Sequence, residues 1–240
     1  SFFAVTHSIP DSMGIAIETP YGDIVHTGDL RLDHTDGEVS EMEDVVYQEF
    51  KDRNVLLLMA DSTNAENPGF SISEKLVQTN IENIIRDTKG RLIISTFASQ
   101  VERMLKMIQL AEKYGRKVVV DGRSMKTNIE VAKIAGILNI NPANLITVEE
   151  MANYPENKIM AMVTGAQGEE FAALMRMSNK THKYIRLSPR DTIWMSSSII
   201  PGNEREVQRL KDNISRQGAH IIHYKTSDIH SSGHANGEEL

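Results

Sequence analysis

Short apolar runs separated by polar turns fill the first sixty residues, and from about residue 70 such runs alternate with stretches of helical periodicity. Residues 2–5 (Phe-Phe-Ala-Val), 13–19 and 23–27 read as strands, with Pro20-Tyr21-Gly22 as a turn between the last two. An acidic, polar stretch over 31–52 predicts a surface loop and a short helix, with the acidic run 38–49 as a solvated face. Residues 55–60, Val-Leu-Leu-Leu-Met-Ala, are apolar without interruption, which predicts a strand buried on both faces.

Ser71-x-x-Glu74 has the form of a capping box, and the helix it would start carries Val77, Ile81, Ile84 and Ile85 at helical spacing before Gly90 stops it. Strands are then expected at 92–96, 117–120, 145–148, 159–164, 192–196 and 221–224. Helices are expected at 101–114, around 129–135, and at 171–177 and 204–216. Such alternation predicts a mainly parallel sheet flanked by helices. Right-handed crossovers then gather the strand C-termini on one side. The loops on that side are rich in Gly, Ser and Thr: Thr96-Phe97-Ala98-Ser99, Asp121-Gly122-Arg123-Ser124, Thr164-Gly165-Ala166-Gln167-Gly168-Glu169, and Ser196-Ser197-Ser198. With Arg103 and Arg123 nearby and helix N-termini supplying N–H groups, that edge suits phosphate oxygens. No GxGxxG or GxxxxGK[ST] follows a strand, so neither a dinucleotide nor a P-loop site is supported.

Length changes the picture little: 240 residues, 40% hydrophobic and 25% charged, make a core-forming globular chain of one or two domains. No apolar run is long enough to span a membrane. Cysteine is absent, which excludes disulfides and thiolate metal sites and fits a reducing compartment; any metal must be held by His, Asp and Glu. The net charge of −7 argues against gripping nucleic acid by bulk positive potential. The chain opens inside a predicted strand and closes inside a predicted helix at Glu238-Glu239-Leu240, so it reads as a piece of a longer protein.

Candidate chemistry concentrates at strand ends. The predicted strands at 2–5 and 23–27 run into His7 and into Thr27-Gly28-Asp29, bringing an imidazole and a carboxylate to one sheet edge. These are ligand types of hydrolytic zinc or manganese centres. On spacing alone a loop histidine and a turn aspartate remain the plainer reading. Asp61 follows the fourth predicted strand, where an Asx turn is the plain alternative. Asp228-Ile229-His230-Ser231-Ser232-Gly233-His234 places two histidines among small residues, with a polar turn and a functional loop evenly balanced. His26 reads as a packed strand histidine, and His34, His182, His220 and His223 as surface or edge residues.

Taken in order, eight strings resemble the ribonuclease J family of metallo-β-lactamase-fold nucleases with an inserted β-CASP domain. They are Thr6-His7-Ser8-Ile9-Pro10-Asp11-Ser12, His26-Thr27-Gly28-Asp29-Leu30, Asp61-Ser62-Thr63-Asn64-Ala65, Thr96-Phe97-Ala98-Ser99, Gly122-Arg123-Ser124-Met125, residues 164–169, Ile200-Pro201-Gly202-Asn203-Glu204, and His230-Ser231-Ser232-Gly233-His234. The resemblance implies part of an αββα metallo-β-lactamase sandwich over 1–70, a β-CASP domain over 71–223, and a return to the first domain over 224–240. It implies metal ligation by His7 and Asp29, with Asp29 bridging two divalent ions, zinc foremost and manganese or magnesium as alternatives. It further implies catalytic roles for Asp61 and His234, and substrate contacts from Phe97, Ala98, Ser99, His230, Ser231, Ser232, Gly233 and His234.

The implied activity is metal-dependent hydrolysis of RNA, 5′-to-3′ exonucleolytic and also endonucleolytic, in RNA maturation and decay in the cytoplasm. The implied partners are single-stranded RNA with a 5′-monophosphate, further copies of the full-length protein, and RNA-decay factors. Alternatives are a non-catalytic RNA-binding paralogue or another hydrolase of the same fold. The family's His-x-His-x-Asp-His motif is absent, as is its last ligand histidine, and Gln100 and Ala166 stand where Asn and Ser are usual. A complete dinuclear site is therefore not expected of these residues alone. Only 5% of residues are aromatic, so RNA affinity should rest on phosphate contacts more than on stacking.

Overall fold

Antiparallel pairing folds the first three apolar runs onto one another in the computed structural model, which describes residues 1–7, 11–32, 34–35, 38–138, 140–197, 199–223 and 233–240. Strand β1 (Phe2–Ala4) pairs with β2 (Met13–Ile17) and β2 with β3 (Asp23–His26). A small hairpin, β4 (His34–Thr35) and β5 (Glu38–Val39), leads to helix α1 (Glu41–Gln48), and β6 (Val55–Met59) joins β3 in parallel to give the order β1-β2-β3-β6. Ser40 starts α1 by accepting the Glu43 N–H, and Glu41, Glu43 and Asp44 suit the positive end of the helix dipole. Strand alternation turns Phe3, Val5, Ala16 and Val25 to one face, where Val46, Tyr47 and Phe50 pack on them. The Phe3 ring meets Phe50 edge-on at 4.8 Å between centroids, and it lies where a Cβ on Gly14 would stand, 2.3 Å away. Burial, with Glu43 adding to it, pushes the Tyr47 phenol up to about 12.

The run 55–60 departs from expectation. All five residues of β6 are exposed, between 38% and 59%, where burial on both faces was predicted. β6 is an edge strand with β3 as its one neighbour in the sheet, and no described layer closes over it. A continuous apolar run specifies a strand that needs cover, but cover is a tertiary property. The face that carries Leu57 and Met59 also leaves Phe2, Met13, Ile15 and Ile17 outward, each more than 40% exposed.

The chain forms two compact units, Ser1–Gln78 with Ser231–Leu240 and, second, Thr79–His230. The division falls within α2 (Glu74–Asp87), whose Val77, Ile81 and Ile85 are fully buried, each such side chain contributing about 1.5–3 kcal/mol. Then follow β7 (Leu92–Ser95), α3 (Val101–Lys113), β8 (Lys117–Asp121), α4 (Arg123–Ile134), β9 (Leu145–Ile146), β10 (Ile159–Val163), α5 (Ala173–Ser178), β11 (Thr192–Met195), α6 (Glu204–Ser215) and β12 (His220–His223). One sheet takes all six strands, ordered β12-β11-β7-β10-β8-β9 and parallel throughout.

Crossovers from β7 and β8 progress towards one edge and those from β10 and β11 towards the other. Right-handed connections therefore put α3 and α4 on one face and α5 and α6 on the opposite face. Ile93, Val119, Ala161, Val163, Ile193 and Met195 pack with Leu174, Met177, Leu210 and Ile214 on the α5–α6 side. Their neighbours along each strand, Leu92, Ile94, Val118, Met160, Met162 and Trp194, are buried as well. This is the predicted covered parallel sheet.

Local differences have local causes. Ser73, not Ser71, caps α2 by accepting the Leu76 N–H, because both the N–H and the hydroxyl of Ser71 are committed to the Glu239 carboxylate. Helix α4 starts at Arg123, six residues before the predicted position. Gly122 makes the turn into it at φ 153°, with Thr164 so near that a Cβ would meet its Cγ2 at 2.5 Å. Residues 237–239 form turns rather than the expected helix end. His34 and His182 are buried, not superficial: His34 Nε2 bonds the Ser71 carbonyl and His182 bonds Asp121. Among the described residues no helix is long and apolar enough to cross a membrane.

Polar pins hold the sheet at its N-terminal edge. Arg91 clamps Asp191 with two bonds of 2.7 and 2.9 Å, and Asp191 also accepts the Ser188 N–H. Arg116 donates to the carbonyls of Ile85, Thr88, Gly90 and Ile159. At the C-terminal end of β8, Asp121 takes a 2.7 Å bond from His182 Nε2, whose Nδ1 accepts the N–H groups of Tyr184 and Ile185. That bond, against the opposing effect of burial and aided by the charges of His182, Arg176 and Lys126, lowers the Asp121 carboxyl below its ordinary value.

Two outcomes are expected. Asp191→Ala strands a buried guanidinium and should cost about 3–5 kcal/mol in urea unfolding, whereas Arg91→Met with Asp191→Leu should recover most of that loss. Asp121 binds its proton more readily when unfolded, so its contribution is present above the unfolded value of about 3.9 and is lost as pH falls through the lower folded value. The stability gap between wild type and Asp121→Asn should therefore shrink as unfolding is measured from pH 6 down to pH 3.

Candidate functional site

Four chain segments converge at the strand ends of the first unit. His7 follows β1, and the Thr6–Arg31 bridge sets it beside the loop after β3. Asp29 lies on that loop, reached through Gly28 at φ 66°, a left-handed conformation that favours glycine. Asp61 follows β6. Gly233 and His234 lie on the returning segment, which is tied down by Ala235 N–H to the Leu30 carbonyl and by a bridge between Asn64 and Asn236. His7, Asp29 and His234 each present a ligand-type atom within 4.8 Å of the others. The two predicted ligands are thus brought together, and His234, assigned from resemblance to proton transfer, stands in the same cluster.

Hydrogen bonds decide which nitrogen does what. His7 Nδ1 lies 2.6 Å from the Gly233 carbonyl, which can only accept, so Nδ1 carries a proton and Nε2 is left to face Asp29 Oδ2 at 3.8 Å. His234 Nδ1 lies 2.6 Å from Asp61 Oδ2, which turns Nε2 to the cluster as the working atom. The Asp61 side chain is 3% exposed. Burial by itself would raise its carboxyl, but the N–H groups of Leu30 and Thr63, the His234 ring and the Thr63 hydroxyl outweigh burial and hold it down to about 2. Asp61 is therefore an ionised acceptor throughout the neutral range. Asp29, at 68% exposure, keeps its carboxylate outward.

The donor set suits a divalent ion. Two ligands each about 2.1 Å from one tetrahedral ion stand about 3.4 Å apart, close to the His7–Asp29 separation. Both imidazoles are oriented through their other nitrogen by a carbonyl or a carboxylate, the arrangement that fixes the tautomer of ligating histidines.

In the second unit the loop after β7 is shaped by its own hydrogen bonds. Phe97 and Ala98 are half-buried and Ser99 is exposed. Asn128 on α4 donates to the Ala98 carbonyl at 2.7 Å, and Thr96 and Arg103 both donate to the Gln100 side-chain oxygen. His230, Ser231 and Ser232 lie outside the described residues. Sequence reasoning missed Asn128, Asn64 (which donates to the His234 carbonyl) and Thr27, for no spacing links positions so far apart in the chain. It also read His26 as packed: the ring is exposed and accepts the Gly28 N–H.

Comparison with known proteins places this geometry. Residues 89–214 match the family model for the ribonuclease J β-CASP domain. Curated relatives named Ribonuclease J include those of Mycoplasma genitalium, 42% identical over the whole of this chain and 42% of the relative, and Thermus thermophilus, 42% identical over 99% and 41%. Ribonuclease J 1 of Streptococcus pyogenes is 40% identical over 100% of this chain and 42% of its own. The chain thus spans less than half the length of these relatives. A crystal structure of a protein of unknown function from Enterococcus faecalis V583 shares the fold over 97% of this chain and 52% of its own, at a TM-score of 0.63 and 19% identity. With more than half of its residues matched by the family model, the chain belongs to the ribonuclease J family and carries its β-CASP domain.

Proposed function

We propose that this chain is part of a metal-dependent ribonuclease that hydrolyses single-stranded RNA, working 5′ to 3′ from a monophosphorylated end and also cutting internally. The observation that carries the reading is the cluster of His7, Asp29 and His234, backed by the buried Asp61 carboxylate, in a chain of this family. Residues 1–70 and 224–240 are assigned to a metallo-β-lactamase domain and 71–223 to the β-CASP domain; the open apolar face of the first sheet is what a sandwich half presents to its other layer. The full-length protein is taken to act as a homo-oligomer in cytoplasmic RNA maturation and decay, with decay factors as partners.

His7 through Nε2 and Asp29 through its carboxylate would hold ions, zinc foremost, with the remaining ligands supplied from elsewhere in the full-length protein. Bound divalent ions would supply an activated water and charge neutralisation at the phosphate. The protein's own part is proton handling and placement. Asp61 holds the His234 Nδ1–H; in the doubly protonated ring the Nε2 proton passes to the departing oxygen and is replaced from solvent, a contribution of about 10²–10⁴-fold. In the β-CASP domain, Phe97, Ala98 and Ser99 contact the RNA, with the Ala98 carbonyl held by Asn128; His230, Ser231, Ser232 and Gly233 are assigned to substrate binding by family resemblance alone. The small side chains at these sheet ends allow backbone N–H groups to approach phosphate oxygens.

In the full-length protein His234→Ala should lower kcat for single-stranded RNA about 10²–10⁴-fold, and Asp29→Asn should abolish cleavage, both with unchanged circular dichroism. Turnover at the wild-type rate in either variant removes the role assigned to that residue. Cleavage of small esters in preference to RNA would instead favour another hydrolase of this fold.

A further inference from the structure

Thr27 is 4% exposed and sits at the end of β3, two residues before Asp29. Its hydroxyl makes two bonds in opposite senses: it donates to the Gly28 carbonyl at 2.7 Å and accepts the Asp61 N–H at 3.0 Å. Its own N–H is spent on the Met59 carbonyl, so the hydroxyl adds a side-chain link just beyond the last backbone bond between β3 and β6. From Asp61 the network continues to Leu30 N–H and to His234 Nδ1. On the other side of Gly28, the His26 ring accepts the Gly28 N–H at 2.9 Å. Both polar groups of Gly28 are thereby committed, in a residue whose left-handed φ aims the next side chain.

We propose that Thr27 is a positioning residue: its hydroxyl keeps the Asp29 loop in register with the Asp61–His234 pair. A methyl group in place of the hydroxyl would keep the volume while removing both bonds, and would leave the Asp61 N–H buried without its acceptor. The two strand ends would then be joined at this level by the backbone alone. Asp29 would sample positions away from His7 and His234, and the loss would fall on the rate rather than on RNA binding. The catalytic consequence rests on the nuclease reading; the coupling itself does not.

The test compares Thr27→Val with Thr27→Ser in the full-length protein. Thr27→Val should lower kcat about 10–100-fold with KM for single-stranded RNA within about twofold, and Thr27→Ser should restore kcat to within about threefold of wild type. Wild-type kcat in Thr27→Val overturns the proposal, and so does an equal loss in Thr27→Ser, since shape rather than the hydroxyl would then be at work. Amide exchange in the metal-free protein gives a second readout independent of RNA: the Asp61 N–H should exchange at least about tenfold faster in Thr27→Val and at the wild-type rate in Thr27→Ser. If the wild type leaves RNA uncut, the nuclease reading falls and the exchange result decides: faster exchange in Thr27→Val alone upholds the coupling, and equal exchange in all three overturns it.

Discussion

The Asp61 carboxylate accepts hydrogen bonds from three directions: the Leu30 N–H on the loop after β3, the Thr63 N–H on its own turn, and His234 Nδ1 on the returning segment. A buried carboxylate is costly unless every lone pair is engaged, and here the bonds outweigh burial strongly enough to hold the group ionised to about pH 2. That requirement makes the site cooperative. The loop bearing Asp29, the turn bearing Asp61 and the loop bearing His234 satisfy one another's polar groups, so displacing one leaves a buried acceptor or donor unpaired in the others.

The two sheets divide labour between their ends in a similar way. In the six-stranded sheet the N-terminal edge is closed by the Arg91–Asp191 pair and by Arg116 bonded to four carbonyls. The C-terminal edge carries loops of small residues held by side chains such as Asn128 and His182. Rigid pins at one end and short, tethered loops at the other suit an open parallel sheet that presents ligand contacts beyond its strand ends. In the four-stranded sheet the strand ends deliver charged and imidazole groups instead, while the strands themselves leave much apolar surface outward. An apolar sheet face of that size is a surface for packing.

Acidic composition and nucleic-acid chemistry are compatible on these terms. A net charge of −7 offers little general attraction for a phosphate backbone, so any recognition of one has to be local: N–H groups at loop ends, a few arginines, and ions for which the His7 and Asp29 donors are suited.

The alternation of strands and helices after residue 70 was legible in the sequence because period and turn chemistry are local: Leu92–Ser95, Val101–Lys113 and Glu204–Ser215 fall within a residue or so of their predicted ends. His7, Asp29 and Asp61 stood out in the sequence as ligand- and acid-type residues at predicted strand ends and His234 in a loop of small residues, and the family resemblance is carried by short contiguous strings. Other features depended on which distant segments meet. The exposure of β6, the start of α4 at Arg123, the burial of His34 and His182, and the claim of Glu239 on Ser71 all arise from neighbours remote in the chain. So does the reach of the Thr27 hydroxyl to Asp61, thirty-four residues away. The one-dimensional pattern determines which backbone conformations are favourable and which side chains must leave water. Which donor meets which acceptor is decided only when the folded chain has to satisfy every polar group it buries.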